Sequence, residues 1–260
     1  MSTTVPHSTE NGLQFLEEGT LGKPLVLLIH GSLDRSAGML RVSRQIHKEA
    51  HVIRFDRRGY AQNNLHAGPF NVPGNVEDVV SILNGREAIL IGHSFGGNIA
   101  LATAAHLGEQ IRAVSTYETP LSWFDWWPRN TAGATSLQVP TSEAAEAFMI
   151  RLIGRKRWEL LPDSTKEARR SEGAALTTEL QSIRDVVPWH VDEILCPVLC
   201  GYGSKAHEHH KKGALWLGEN LKHARSVEIV DAGHGAPNSH AAAFTELLVR
   251  PHLAPALPTG

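Results

Sequence analysis

Ser94 lies in Gly92-His93-Ser94-Phe95-Gly96, between the apolar run at 88–91 and a stretch rich in small residues. A serine flanked by glycines at this spacing fits a nucleophile on a sharp strand-to-helix turn that lifts the hydroxyl out of the sheet. Side chains at the two glycine positions would strike neighbouring strands, so glycine suits both. The free N–H groups of a helix N-terminus also favour the negative charge that develops during acyl transfer. The five-letter pattern is common by chance. Its placement after a buried run and before a helix, with Gly97 for close packing, makes it specific.

Two further stretches fit the same chemistry. His30-Gly31-Ser32 ends the apolar run at 25–30. The N–H of Ser32 there could meet the N–H of Phe95 to hold an oxyanion, with His30 and Gly31 bordering the substrate. Alone, the triplet reads equally well as a plain strand-end turn. His234 lies in Asp231-AGHG, on a glycine-flanked loop late in the chain, where a general base follows a serine nucleophile. His240 reads as a helix-surface residue.

The chain holds fifteen histidines. The cluster His207, His209, His210 could suggest a metal. The adjacent Lys211 and Lys212 repel a cation and no carboxylate shell is evident, so the expectation is a solvated helix start and no metal. The two cysteines, Cys196 and Cys200, read as fillers of a buried strand rather than a disulfide framework.

With 260 residues, 42% hydrophobic and 20% charged, the chain suits one globular domain, or one domain plus a small insertion. A net charge of −2 gives no electrostatic argument for nucleic acid or an anionic membrane. The opening MSTTVPHSTENG has no basic and apolar leader pattern, and LVLLI at 25–29 is far too short to span a bilayer. A cytoplasmic location and a small-molecule partner are expected; the oligomeric state is left open.

The elements that must position these residues alternate between strand and helix patterns, as in a mostly parallel, doubly wound α/β sheet. Strands are expected at 13–17 (antiparallel), 25–30, 51–56, 88–93, 111–118, 196–202 and 226–231. Helices are expected at 36–49, after Asn75 to Gly85, from Asn98 to Gly108, and around 206–222. The stretch 119–190 breaks the rhythm. It opens on TPLSWFDWWP, continues with helical patterns at 142–154, 155–161 and 164–184, and shows no clear strand. It is read as a helical cap inserted into a core of 1–118 and 191–260. The tail RPHLAPALPTG reads as loose.

HGS at 30–32, DRRGY at 56–60, GHSFGG at 92–97 and AGHG at 232–235 make the chain resemble the α/β-hydrolase fold family. Their order and spacing cover nearly everything outside the cap. The resemblance implies a sheet of about eight strands, a serine–histidine–acid triad and no cofactor. In one departure, the turn after the aspartate reads DRRGYAQNN where family members often have Gly-x-Ser.

The acid is the open question. Its usual place, after the strand ending near 202, offers only Gly203, Ser204, Lys205 and Ala206. Glu208 is the nearest carboxylate, but helix-dipole stabilisation alone would explain an acid there. Glu118 is preferred: it ends the strand after the nucleophile strand, and functional residues collect at such C-terminal ends. Zearalenone-type lactonases resemble this chain in having a glutamate there, before a proline and ahead of the cap. Asp192, or no acid at all, stays as a further alternative.

The expected activity is hydrolysis of a small, largely apolar carboxylic ester or lactone through an acyl-enzyme, as in a serine esterase or lactonase. Trp123, Phe124, Trp126 and Trp127 would divide between lining the pocket and anchoring the cap. No arginine cluster marks a phosphate or diacid substrate, although Arg129 and Arg151 could face the pocket. Two other activities suit the same scaffold: a cofactor-independent oxygenase, and a ligand-binding receptor.

Overall fold

The computed structural model describes residues 4–254. Eight strands form one sheet: β1 (Val5–Ser8), β2 (Gln14–Gly19), β3 (Leu25–Ile29), β4 (His51–Phe55), β5 (Ala88–His93), β6 (Ile111–Tyr117), β7 (Val198–Gly203) and β8 (Ala224–Ile229). Their spatial order is β1-β2-β4-β3-β5-β6-β7-β8. The six strands from β3 to β8 run parallel, while β1 and β2 pair antiparallel at one edge.

β3 shows why its LVLLI run is apolar without alternation. Leu25, Leu27 and Ile29 enter one core cluster, and Val26 and Leu28 enter the cluster on the opposite face. Helices cover both faces, so every side chain of a central strand must be apolar. β1 escapes the sequence reading because all four of its residues are exposed and no buried alternation marks it.

The order reverses at β3, with β4 on one side and β5 on the other. Loops leaving β3 and β5 therefore diverge and open a crevice at the strands' C-terminal ends. Residues 30–32 and the Ser94 turn sit there.

Helix boundaries depart from expectation in two places. Helix Val72–Leu83 starts earlier than Asn75: Asn71 is its N-cap, its side chain accepting from the Gly74 N–H at 2.9 Å, with a proline in the first turn. The single helical pattern at 164–184 is two helices, Asp163–Arg170 and Gly173–Asp185. Gly173 packs its Cα against the Thr141 carbonyl, where a Cβ would collide. Between β6 and β7 the described residues hold helices Ala132–Ser136, Thr141–Ile153, Arg155–Glu159 and these two. Of the tail, Arg250–Leu253 is a short helix, and its end at 255–260 lies outside the described residues.

DRRGY ties this helical segment to the sheet. Arg57 is fully buried and pairs with Glu179 at 2.8 Å. Its other donors reach the carbonyls of His30 (3.0 Å) and Gly31 (3.1 Å). Arg58 grips Asp78 through two 2.7 Å bonds. Taking Glu179 away would leave Arg57 buried without its counter-charge, the most costly way to break an ion pair. Glu179→Gln is expected to destabilise the fold by about 3–5 kcal/mol, read as a lowered urea midpoint. A loss under about 1 kcal/mol would mean that water or other groups compensate.

Candidate active site

β5 ends at His93 and the helix Phe95–Leu107 begins two residues later, so Ser94 takes the whole turn. Its backbone is strained, at φ 53° and ψ −124°. The flanking glycines permit this: a Cβ on Gly92 would collide with Gly96, and one on Gly96 with the carbonyls of Ile29 and His30. The Ser94 N–H donates to Tyr117 O at 2.8 Å, pinning the turn to β6.

Gly31 faces this serine directly, since a Cβ there would lie 2.9 Å from the Ser94 Cβ. Ser32 borders the cavity above Ser94. His30 does not: it is fully buried, its Nδ1–H donates to Gly31 O at 2.7 Å, and its Nε2 accepts from the Arg57 N–H at 2.9 Å. The His30 side chain is thus engaged away from the cavity, while Gly31 lies against Ser94.

His234 follows β8 on a loop held at two carbonyls. The Tyr117 hydroxyl donates to Gly233 O at 3.0 Å, and His93 Nε2 donates to His234 O at 2.8 Å. The His234 ring meets Glu118, with Nδ1 and Oε2 2.7 Å apart. A carboxylate can only accept, so Nδ1 carries a proton and Nε2 is the nitrogen that can accept in the neutral ring. Glu118 is 1% exposed and backbone-strained at φ 47°. Its second oxygen accepts from the Gly203 N–H at 3.1 Å, and its own N–H donates to Gly201 O at 2.9 Å. β7 therefore fixes both the backbone and one carboxylate oxygen of Glu118. Glu208 and Asp192 are exposed and do not border the cavity.

Ser94, Glu118 and His234 open on one cavity of about 520 Å³. Among the described residues, the Ser94 hydroxyl makes no hydrogen bond, and such contacts commonly tighten only when substrate binds. Pro120, Trp127, Phe148, Leu152 and Leu180 give the cavity an apolar wall. Of the four predicted aromatics only Trp127 is on it. Trp123 packs on Trp189 (5.4 Å between ring centroids), and Phe124 stacks on Trp126 (5.3 Å) and meets Trp216 (4.8 Å). These three anchor the chain against the core, where covering apolar surface outweighs lining a half-polar cavity.

His207, His209 and His210 border the cavity, which corrects the expectation of a purely solvated helix start. His210 stacks 4.8 Å from the His234 ring, and burial holds its pKa well below the ordinary histidine value. Burial also takes His209 down to about 4. The spacing of the cluster was visible in the sequence; the inward turn of two of its rings depends on how helix Glu208–Asn220 docks. Glu118, His210 and His234 bring three potential metal donors within 4.8 Å of one another. As arranged, Glu118 Oε2 and His234 Nδ1 are joined by their 2.7 Å hydrogen bond, which a metal would have to displace. Cys196 and Cys200 are free thiols, the latter pushed up to about 12 by burial.

Burial lowers His93 to about 3, reinforced by the neighbouring His234. Its Nδ1 is buried with no partner, as a neutral ring requires. Burial likewise lowers His252, to about 4. Between these values and the unfolded value of about 6.5, only the unfolded chain binds the proton. Stability therefore rises with pH across that window and falls as pH drops from about 6.5, by up to about 1.4 kcal/mol per pH unit for each such histidine. Urea midpoints measured from pH 7 to 4 should fall, and less steeply for His93→Gln. A flat profile in both proteins would contradict this assignment.

A family model described as "Alpha/beta hydrolase family" matches residues 26–247. Mouse "Epoxide hydrolase 4" is 29% identical over 118 residues, 43% of this chain and 33% of that protein, so the match spans about a third of the curated relative's length. The structure is similar to an enol-lactonase from Burkholderia xenovorans LB400, with TM-score 0.71 and 21% identity over 93% of this chain and 97% of that one. It is also similar to a thermophilic esterase from Thermogutta terrifontis, with TM-score 0.69 and 18% identity over 94% and 96% of the two chains. At these identities the two structures bear on the fold alone.

Proposed function

Since the chain belongs to the alpha/beta hydrolase family, we propose that it is a serine hydrolase cleaving a small carboxylic ester or lactone, with residues 119–190 as its cap. The observation carrying this reading is the buried Glu118 carboxylate 2.7 Å from His234 Nδ1, in a cavity shared with Ser94. Ser94 Oγ attacks the substrate carbonyl while His234 Nε2 takes its proton. The N–H groups of Ser32 and Phe95 hold the oxyanion. Phe95 opens its helix, so its amide has no intrahelical partner to give up. The C–O bond to the alcohol breaks and His234 returns the proton to it. Water then attacks the acyl-enzyme, again with His234 as base. Glu118 holds His234 in the tautomer that leaves Nε2 able to accept.

Some relatives are epoxide hydrolases, but a serine suits that reaction poorly. Attack of Ser94 Oγ on an epoxide carbon would form an ether, which water does not release. Attack on an ester carbonyl forms an acyl-enzyme, which water does. The ester reading extends to a cytoplasmic enzyme needing no cofactor, with no nucleic-acid or membrane partner. No helix among the described residues is long and apolar enough to cross a membrane.

The test is rapid mixing with short-chain aryl esters, lactones and styrene oxide. A burst of phenol stoichiometric with enzyme, followed by slower turnover, is expected for the esters. Turnover of the epoxide alone would replace this reading. Absence of any burst, with tight retention of an aromatic ligand, would favour a receptor or an oxygenase.

A further inference from the structure

The cavity wall carries charge that the proposed chemistry does not use. Glu118 is its one carboxylate among the described residues, and both of its oxygens are engaged. Against it stand Arg151, Arg184 and Lys205. Lys205 is balanced by Asp231 at 3.0 Å, both side chains being exposed. Among the described residues neither Arg151 nor Arg184 makes an ion pair with a carboxylate, and Asp185 acts on Arg184 only through its nearby charge.

Arg184 is the more telling of the two. It is half-buried on helix Gly173–Asp185, and its recorded bond goes to the Leu180 carbonyl of its own helix. Asp185, next in the chain, accepts instead from the Gln181 amide at 2.7 Å. Burial lowers the pKa of the guanidinium, and the nearby Asp185 charge offsets this only in part. Both arginines flank the cavity-lining stretch 130–133: Arg151 Nη2 donates to Asn130 O at 3.4 Å, and Arg184 Nη2 would lie 3.3 Å from a Cβ on Gly133. Glycine there leaves room for the fork. A half-buried guanidinium with no direct ion pair gains from an anion that completes it, and its planar donors suit a carboxylate.

We propose that Arg151 and Arg184 form a subsite for a carboxylate, so that the preferred substrate is an ester or lactone with an apolar body and one anionic arm. The substrate part of this rests on the serine hydrolase reading. The anion subsite does not.

Two measurements separate them. The first compares 4-nitrophenyl hexanoate with mono(4-nitrophenyl) adipate. The second titrates adipate into the Ser94→Ala protein by calorimetry. Wild type should prefer the anionic ester. Arg184→Met should weaken it by roughly tenfold to a hundredfold, mainly in KM, the scale of a charge-assisted hydrogen bond. The neutral ester should change less than about threefold, because its arm makes no such bond. Arg184→Lys should restore part of the loss, and Arg151→Met should cost less, its side chain being exposed. Adipate binding should fall in the Ser94→Ala/Arg184→Met double variant with an unchanged circular dichroism spectrum. Equal losses for both esters, or adipate binding that ignores Arg184, would overturn the subsite. If neither ester is turned over, the hydrolase reading fails alone, and the adipate titration still decides the subsite.

Discussion

Glu118→Gln is expected to lower kcat for ester hydrolysis by roughly 10³–10⁴-fold while leaving the fold intact. The size follows from which atom faces which partner. Glu118 Oε1 accepts from the Gly203 N–H at 3.1 Å, and Oε2 faces His234 Nδ1 at 2.7 Å. In the variant the amide oxygen must take the Gly203 position, because an NH2 there would oppose a donor. The NH2 then faces Nδ1, which has to become an acceptor. The ring proton moves to Nε2, where it blocks acceptance of the Ser94 proton. The same substitution at Glu208 should be silent, since that residue is exposed on the first turn of its helix. Steady-state rates of both variants check this. A large loss only in Glu208→Gln would move the acid to the strand where the family commonly has it.

Ser94→Ala is expected to cost more, on the order of 10⁵–10⁶-fold in kcat, with the burst abolished. The residual rate would come from the oxyanion donors and from binding. Stability should hold or rise slightly, although the strained backbone at φ 53° persists with alanine. A variant with most of its activity would show that the hydroxyl does not attack, and would favour direct base catalysis by His234 on water or on an acidic substrate.

What could be read in the sequence divides along physical lines. The Ser94 turn, the residue 30–32 loop and the parallel sheet were legible because local sterics dictate them: glycines where backbones meet, and unbroken apolar runs where both sheet faces are covered. Glu118 and His234 were legible as positions at strand ends, though their mutual distance was not. The helix start at Asn71 was within reach, since Pro73 signals a first turn, but the acids after Asn75 drew the boundary too late. Other features depend on docking between distant elements. Trp127 borders the cavity while Trp123, Phe124 and Trp126 turn to the core, although all four sit in one short stretch. His209 and His210 look like a solvated helix start until the helix packs near the His234 loop. Nothing in the sequence singles out Arg184, and only the packed helix shows that it borders the cavity without an ion pair. Arg57 reads as part of a turn motif, and its partner Glu179 lies 122 residues away.

In the proposed mechanism Ser94 is a nucleophile activated by His234 and Glu118. Labelling with a fluorophosphonate tests it most directly, with mass spectrometry to place the adduct. The expected result is one adduct per chain on Ser94, formed far more slowly in Glu118→Gln and at the wild-type rate in Glu208→Gln. No adduct on Ser94, or equal labelling rates in wild type and Glu118→Gln, would contradict the account.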